Sequence, residues 1–118
     1  MEKLSLERIL KALESLGLSR VEARIYMFLE KNGSHEDVDI AQALKLHTKE
    51  LINSLTILQD KKIVKATSRE TAEFSAVSFK KAIDLLIDLR KEQAKSLQER
   101  KVELLSSWQK MRSNYEGN

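Results

Sequence analysis

Cysteine is absent from the 118 residues, which excludes a disulfide framework and a thiolate zinc site and removes any need for an oxidising compartment. Proline is absent too, and glycine occurs only at Gly17, Gly33 and Gly117, so there is no Gly-rich phosphate loop and little to interrupt a helix. The longest uninterrupted apolar run, residues 25–29, is far shorter than a membrane span or a signal-peptide core. A soluble cytoplasmic protein with no membrane partner is expected.

Charge of one sign is missing where it would be most telling. Residues 1–79 hold 12 Lys and Arg against 12 Asp and Glu, and residues 80–118 hold 9 against 6, so the net +3 lies wholly in the second part. A neutral N-terminal segment gives no argument for nucleic acid from charge alone; its distribution over the surface has to decide. The length suits one domain with a modest core plus an appendage. A chain that is 33% charged and free of proline favours long, solvent-exposed helices over a sheet-rich domain.

Leu6, Ile9, Leu10, Leu13 and Leu16 recur at helical spacing from Ser5 onward, with Gly17 as the stop. Ser19-Arg20-Val21-Glu22 has the form of a capping box, in which a Ser oxygen and a Glu carboxylate each satisfy an amide of the helix start. A second helix therefore begins here, carries Val21, Ile25, Phe28 and Leu29 on its apolar face, and breaks across residues 31–34.

Residues 38–64 read as two helices joined by a tight turn near Leu44-Lys45-Leu46, then a strand. Such turns often contain glycine; this one has none. At 100° per residue, Leu51, Leu55 and Leu58 share a stripe with Thr48 beside it and Ile52 at its edge, while Lys49, Asn53, Thr56 and Asp60 point the other way. A face of short hydrogen-bonding side chains suits base edges in a major groove. After Lys62, residues 63–66 and 72–77 alternate as two short strands, with residues 67–71 as the hairpin tip. Helix, helix-turn-helix and a two-stranded ribbon make a winged helix-turn-helix of mostly α class, placed at residues 1–79.

From Phe79 to about Tyr115 nothing breaks a helix. Roughly 37 residues would extend on the order of 50 Å, more than one small domain covers. A 3.5-residue repeat sets Ile83, Ile87, Arg90, Ala94, Leu97, Lys101, Leu104, Trp108, Met111 and Tyr115 at successive seam positions. A single seam of this kind needs a partner helix to leave water. Self-association as a coiled coil through residues 80–118 is the simplest solution, with Ile83, Ile87, Ala94, Leu97, Leu104, Trp108, Met111 and Tyr115 as the dimerisation residues. Arg90 and Lys101 interrupt the seam, either setting register and direction or snorkelling outward.

The run Leu16-Gly17-Leu18-Ser19-Arg20-Val21-Glu22-Ala23-Arg24-Ile25-Tyr26 resembles the opening-helix signature of the TrmB-type winged-helix transcription regulators of archaea. The resemblance continues without a gap through Ile40-Ala41, Leu51, Leu55, Leu58, Ile63-Val64 and Phe74-Ser75-Ala76-Val77, and covers about residues 16–90. It implies a winged helix that binds double-stranded DNA. The chain departs from the family at His47 and Thr48, where proline and arginine are common, at Lys62, where glycine is common, and at the wing tip Ser68-Arg69-Glu70-Thr71, where several bases are common. Larger members carry a C-terminal effector-binding domain; here no small-molecule effector domain is expected, as in the small one-domain members.

Other chemistry finds little support. His35 and His47 stand twelve residues apart with no cysteine and no ordered carboxylate pattern, so neither a metal site nor a catalytic site is expected, and no cofactor. Glu36-Asp37-Val38-Asp39 falls at a helix start, where the dipole favours acids. For DNA, Thr48, Lys49, Asn53 and Thr56 are the expected base contacts and Lys45, Lys65 and Arg69 the expected phosphate contacts. The leading expectation is a homodimeric, sequence-specific transcription regulator of the nucleoid. The alternatives are a protein-interaction winged helix using Ile57, and a non-specific architectural chromatin protein.

Overall fold

A computed structural model describes residues 2–67 and 72–116. The wing-tip residues 68–71, Arg69 among them, and the side chain of Tyr115 lie outside the described residues. The chain divides into two units, Met1–Ile87 and Asp88–Asn118.

Unit 1 opens with α1 (Glu2–Ser15) and α2 (Arg20–Asn32). The Leu18 N–H donates to the Leu13 carbonyl at 3.1 Å and the Gly17 N–H to that of Glu14 at 3.0 Å, a Schellman closure that holds Gly17 at φ 108. Ser19 then starts α2 as its sequence requires: its Oγ accepts from the Glu22 N–H and the Glu22 carboxylate accepts from the Ser19 N–H, both at 3.1 Å. Arg20 forks between Glu7 at 2.6 Å and Glu14 at 2.9 Å, joining the two helices at the surface. The guanidinium holds the Glu7 carboxyl below the usual carboxylate range. A carboxyl lowered by folding contributes stability at neutral pH that is lost as pH falls through its titration, and solvent screening of this partly exposed surface pair keeps the contribution small.

Two further helices, α3 (Asp37–Leu44) and α4 (Thr48–Asp60), form the helix-turn-helix. The turn between them works without glycine because Lys45 itself takes the left-handed conformation, at φ 55 and ψ 51, while the Leu46 N–H closes on the Ala41 carbonyl at 3.0 Å. The end of α4 repeats the device. There the Lys62 N–H donates to Gln59 at 2.9 Å, the Ile63 N–H donates to Leu58 at 3.2 Å, and Lys62 sits at φ 65. In all three closures the next residue, Leu18, Leu46 or Ile63, packs into or against the core. A left-handed L-residue costs roughly 1–2 kcal/mol, of which glycine's extra chain entropy returns part. Lys62→Gly should therefore raise unfolding stability by about 0.5–1 kcal/mol, read as a higher urea midpoint at unchanged slope. A lowered midpoint would count against this view of the turn.

The β2 (Val64–Ala66) and β3 (Glu73–Ala76) strands form the expected wing hairpin, with Val64 opposite Ala76 and Ala66 opposite Phe74. Both the N–H and the hydroxyl of Thr67 donate to the Glu73 carbonyl, at 2.7 and 3.0 Å. The sheet also holds a strand that the sequence reading did not anticipate: β1 (His35–Glu36) pairs antiparallel with the other edge of β3, giving the order β1-β3-β2. Two residues are too few to show an alternating pattern, and β1 exists only because β3 offers it an edge.

Tyr26 lies at the centre of the core with no exposed surface, its hydroxyl donating to the Val77 carbonyl at 2.7 Å. Burial pushes its pKa upward, with Glu30 adding to the effect. Tyr26→Phe leaves that carbonyl without its donor and should cost about 1–2 kcal/mol, measured by urea unfolding; an unchanged midpoint would show the hydrogen bond contributes nothing. The long helix α5 (Phe79–Glu116) begins in unit 1, where Ala82 and Leu86 are buried, so unit 1 continues past residue 79. Residues 88–116 of α5 form the described part of unit 2. No helix among the described residues is long and apolar enough to cross a membrane.

Candidate nucleic-acid interface

The inner face of α4 consists of Leu51, Ser54, Leu55 and Leu58. Ile52, at the edge of the core stripe, is 48% exposed, and Ser54, 7% exposed, takes a place on the inner face that the spacing of apolar residues alone does not show. Packing on α2, α3 and β2 fixes the rotation of the helix, and that rotation need not follow the count of apolar residues.

Lys49, Asn53, Thr56 and Asp60 all stand exposed on the opposite side, and Thr48 and Glu50 are exposed in the first turn. Thr56 is less free than its position implies, because its hydroxyl donates to the Ile52 carbonyl at 2.9 Å. It offers a base edge an acceptor lone pair and a methyl group but no proton. His47 occupies the N-cap at φ −72 and ψ 148 without a side-chain bond to the helix, so the first amides of α4 have no capping side chain. Lys45, in the preceding turn, and Lys65, opposite Ser75 on β2, are both exposed. The turn and α4 thus carry Lys45, Thr48, Lys49, Asn53 and Thr56, and the wing carries Lys65; Arg69 lies outside the described residues.

His35 is accounted for structurally. Its Nδ1 is 2.9 Å from the Gly33 carbonyl oxygen and its ring meets Phe28 edge-on at 5.1 Å. Among the described residues no group of three or more His, Cys, Asp or Glu is arranged to hold a metal ion.

The seam residues divide between the units. Ile83 packs partly buried against the core of unit 1, and Ile87 is 37% exposed. Leu97, Leu104, Trp108 and Met111 in unit 2 are each 51–60% exposed, and Ala94 is exposed as well. A strict 3.5 repeat misses Leu105, which is 50% exposed and borders a shallow depression with Ala94, Leu97, Gln98, Lys101 and Leu104. The apolar stripe of unit 2 is therefore broader than a two-residue seam.

No family model matches the chain, and no curated protein matches it. Solved structures do. TrmBL2, an archaeal chromatin protein whose structure is described as showing a novel mode of DNA binding, superposes with a TM-score of 0.73 at 19% identity, over 94% of this chain and 43% of that one. A possible transcriptional regulator from Methanosarcina mazei Go1 gives 0.56 at 15% identity, over 82% and 86%. The transcriptional regulator Tm0710 from Thermotoga maritima gives 0.55 at 15% identity, over 98% and 89%. This chain spans less than half the length of TrmBL2. The fold is that of winged-helix regulators, and the resemblance of residues 16–26 to the TrmB type is borne out at the level of fold.

Proposed function

We propose that the chain binds duplex DNA as a homodimer, sets α4 of each copy into a major groove, and acts in the nucleoid as a sequence-specific transcription regulator that catalyses no reaction. The observation that carries this reading is the outward face of α4, where Lys49 and Asn53 stand exposed above a rigid row of buried residues on a winged-helix scaffold. Asn53 suits the N6 and N7 positions of adenine, and Lys49 suits guanine. Lys45 and Lys65 flank them as phosphate contacts that position without specifying.

Pairing of two copies through the exposed stripe of unit 2 brings the two heads together. Over residues 88–116 the heptad repeat sets Arg90, Lys91, Arg100, Lys101 and Arg112 at seam or flanking positions and no acid there, while all the acids fall on the back of the helix. Lys101 takes a core position, which costs stability in exchange for register. Lys101→Leu should therefore tighten self-association on the order of tenfold or more, measured by sedimentation equilibrium. Weaker association would show that Lys101 makes a favourable contact in the pair.

A shift assay on mixed genomic fragments at low salt tests the function. Retention of a subset sharing a common site supports the regulator. No retention, under conditions where phosphate contacts are strongest, would end the DNA reading. A second reading, an architectural chromatin protein, draws on the likeness to TrmBL2; equal retention of all fragments with steep salt dependence would favour it.

A further inference from the structure

The polar stripe of α4 is bordered on both sides by aliphatic side chains. Taking the centre of the buried row Leu51, Ser54, Leu55 and Leu58 as the inside, helical arithmetic at 100° per residue puts Ile52 about 70° to one side of the outward direction and Ile57 about 70° to the other. Ile52 is 48% exposed and Ile57 39% exposed. Thr56, whose hydroxyl is turned to the Ile52 carbonyl at 2.9 Å, adds a methyl group between them. The face thus combines Lys49, a hydrogen-bond donor, and Asn53, which can both donate and accept, with aliphatic groups held in water beside them.

In a major groove the one apolar group that differs between bases is the 5-methyl of thymine. We infer that Ile52 and Ile57 read thymine methyls on either side of the base contacted by Asn53, and that the site recognised is rich in A·T pairs. This rests on the DNA-binding reading above and specifies the substrate class. One feature favours DNA over a protein partner. The isoleucines do not form one continuous patch, because Lys49, Asn53 and Asp60 stand between them. A protein-docking face centred on isoleucine would exclude those groups or pair them, whereas a base-pair edge offers methyls and hydrogen-bonding atoms side by side.

Replacing thymidine by deoxyuridine removes the methyl and leaves every hydrogen-bonding atom in place. The test takes one duplex recovered in the fragment assay, prepares it with thymidine or with deoxyuridine throughout the bound site, and titrates each with the full chain by fluorescence anisotropy. Affinity should fall on the deoxyuridine duplex by about fourfold for each methyl covered. Ile52→Ala and Ile57→Ala should each shrink the difference between the duplexes while binding the deoxyuridine duplex as the parent does, which also shows that the variants are folded. Equal affinity of the parent for both duplexes would overturn the inference while leaving DNA binding intact. So would a preference for thymidine that both variants retain, or loss of binding to both duplexes alike in the variants, the pattern of a general apolar contact. Failure of every duplex to bind would overturn the underlying reading together with the inference.

Discussion

Leu104→Asp with Trp108→Asp should convert the protein to a monomer and weaken its binding to a two-half-site duplex by about a hundredfold or more. Both side chains are about half exposed in the single chain, at 51% and 53%, and neither belongs to its buried core, so placing carboxylates there leaves that core intact. In a pair the same positions lie at the centre of the apolar stripe, where an unpaired charge costs far more than it does in water. The second head then loses the effective concentration that the first provides, and affinity drops to that of one reading face. The urea midpoint of unit 1 should stay where it is, since its core is made of residues up to Leu86. A double variant that still sediments as a dimer would place the self-association surface elsewhere.

The second large effect is expected at α4. Lys49→Ala and Asn53→Ala should each reduce affinity for a cognate duplex by about tenfold or more, because a good bidentate base contact discriminates by about 1–3 kcal/mol. The loss should be confined to the cognate sequence, so binding to unrelated DNA changes much less. Lys45→Ala and Lys65→Ala should behave in the opposite way, weakening all sequences alike and reducing the steepness of the salt dependence by about one counterion per copy for each lysine removed. Measuring affinity at several salt concentrations on matched and unmatched duplexes separates the two roles. Lys49→Ala and Asn53→Ala variants that bind both duplexes like the parent would remove α4 from the interface and favour the use of Ile57 in a protein contact.

What was legible in the sequence follows from where local chemistry decides structure. The capping box of Ser19 and Glu22 needs only residues three apart, and it formed as written. The ends of α1 and α2 fall at Gly17 and Gly33, both at positive φ, and the unbroken run of helix formers became α5. Less visible were features set by tertiary packing. Nothing local identifies His35 and Glu36 as a strand, because β3 supplies their hydrogen bonds. The burial of the polar Ser54 on the inner face is decided by what α4 packs against. That Ala82 and Leu86 belong to the core of the first unit is hidden in a helix whose sequence shows no break. Lys45 and Lys62 adopt left-handed conformations that sequence reading reserves for glycine.

At the candidate interface, the exposure of Lys49, Asn53 and Thr56 was foreseeable from helical spacing, whereas Thr48, which that spacing sets beside the core stripe, is exposed because it lies in the first turn. The turning of the Thr56 hydroxyl back onto its own helix was not foreseeable, since a threonine hydroxyl chooses between solvent and the carbonyl four residues earlier according to its rotamer. That choice changes the chemistry of the face from a row of donors to a mixture of hydrogen-bonding groups and methyls.

Sedimentation velocity of the full chain with a fluorescently labelled cognate duplex in excess tests paired DNA binding most directly. Free protein should sediment at twice the 13.6 kDa chain mass, and the labelled duplex should shift to a complex holding two chains even when duplex outnumbers protein. Free protein at the single-chain mass, together with duplexes that carry one chain or none, would contradict it.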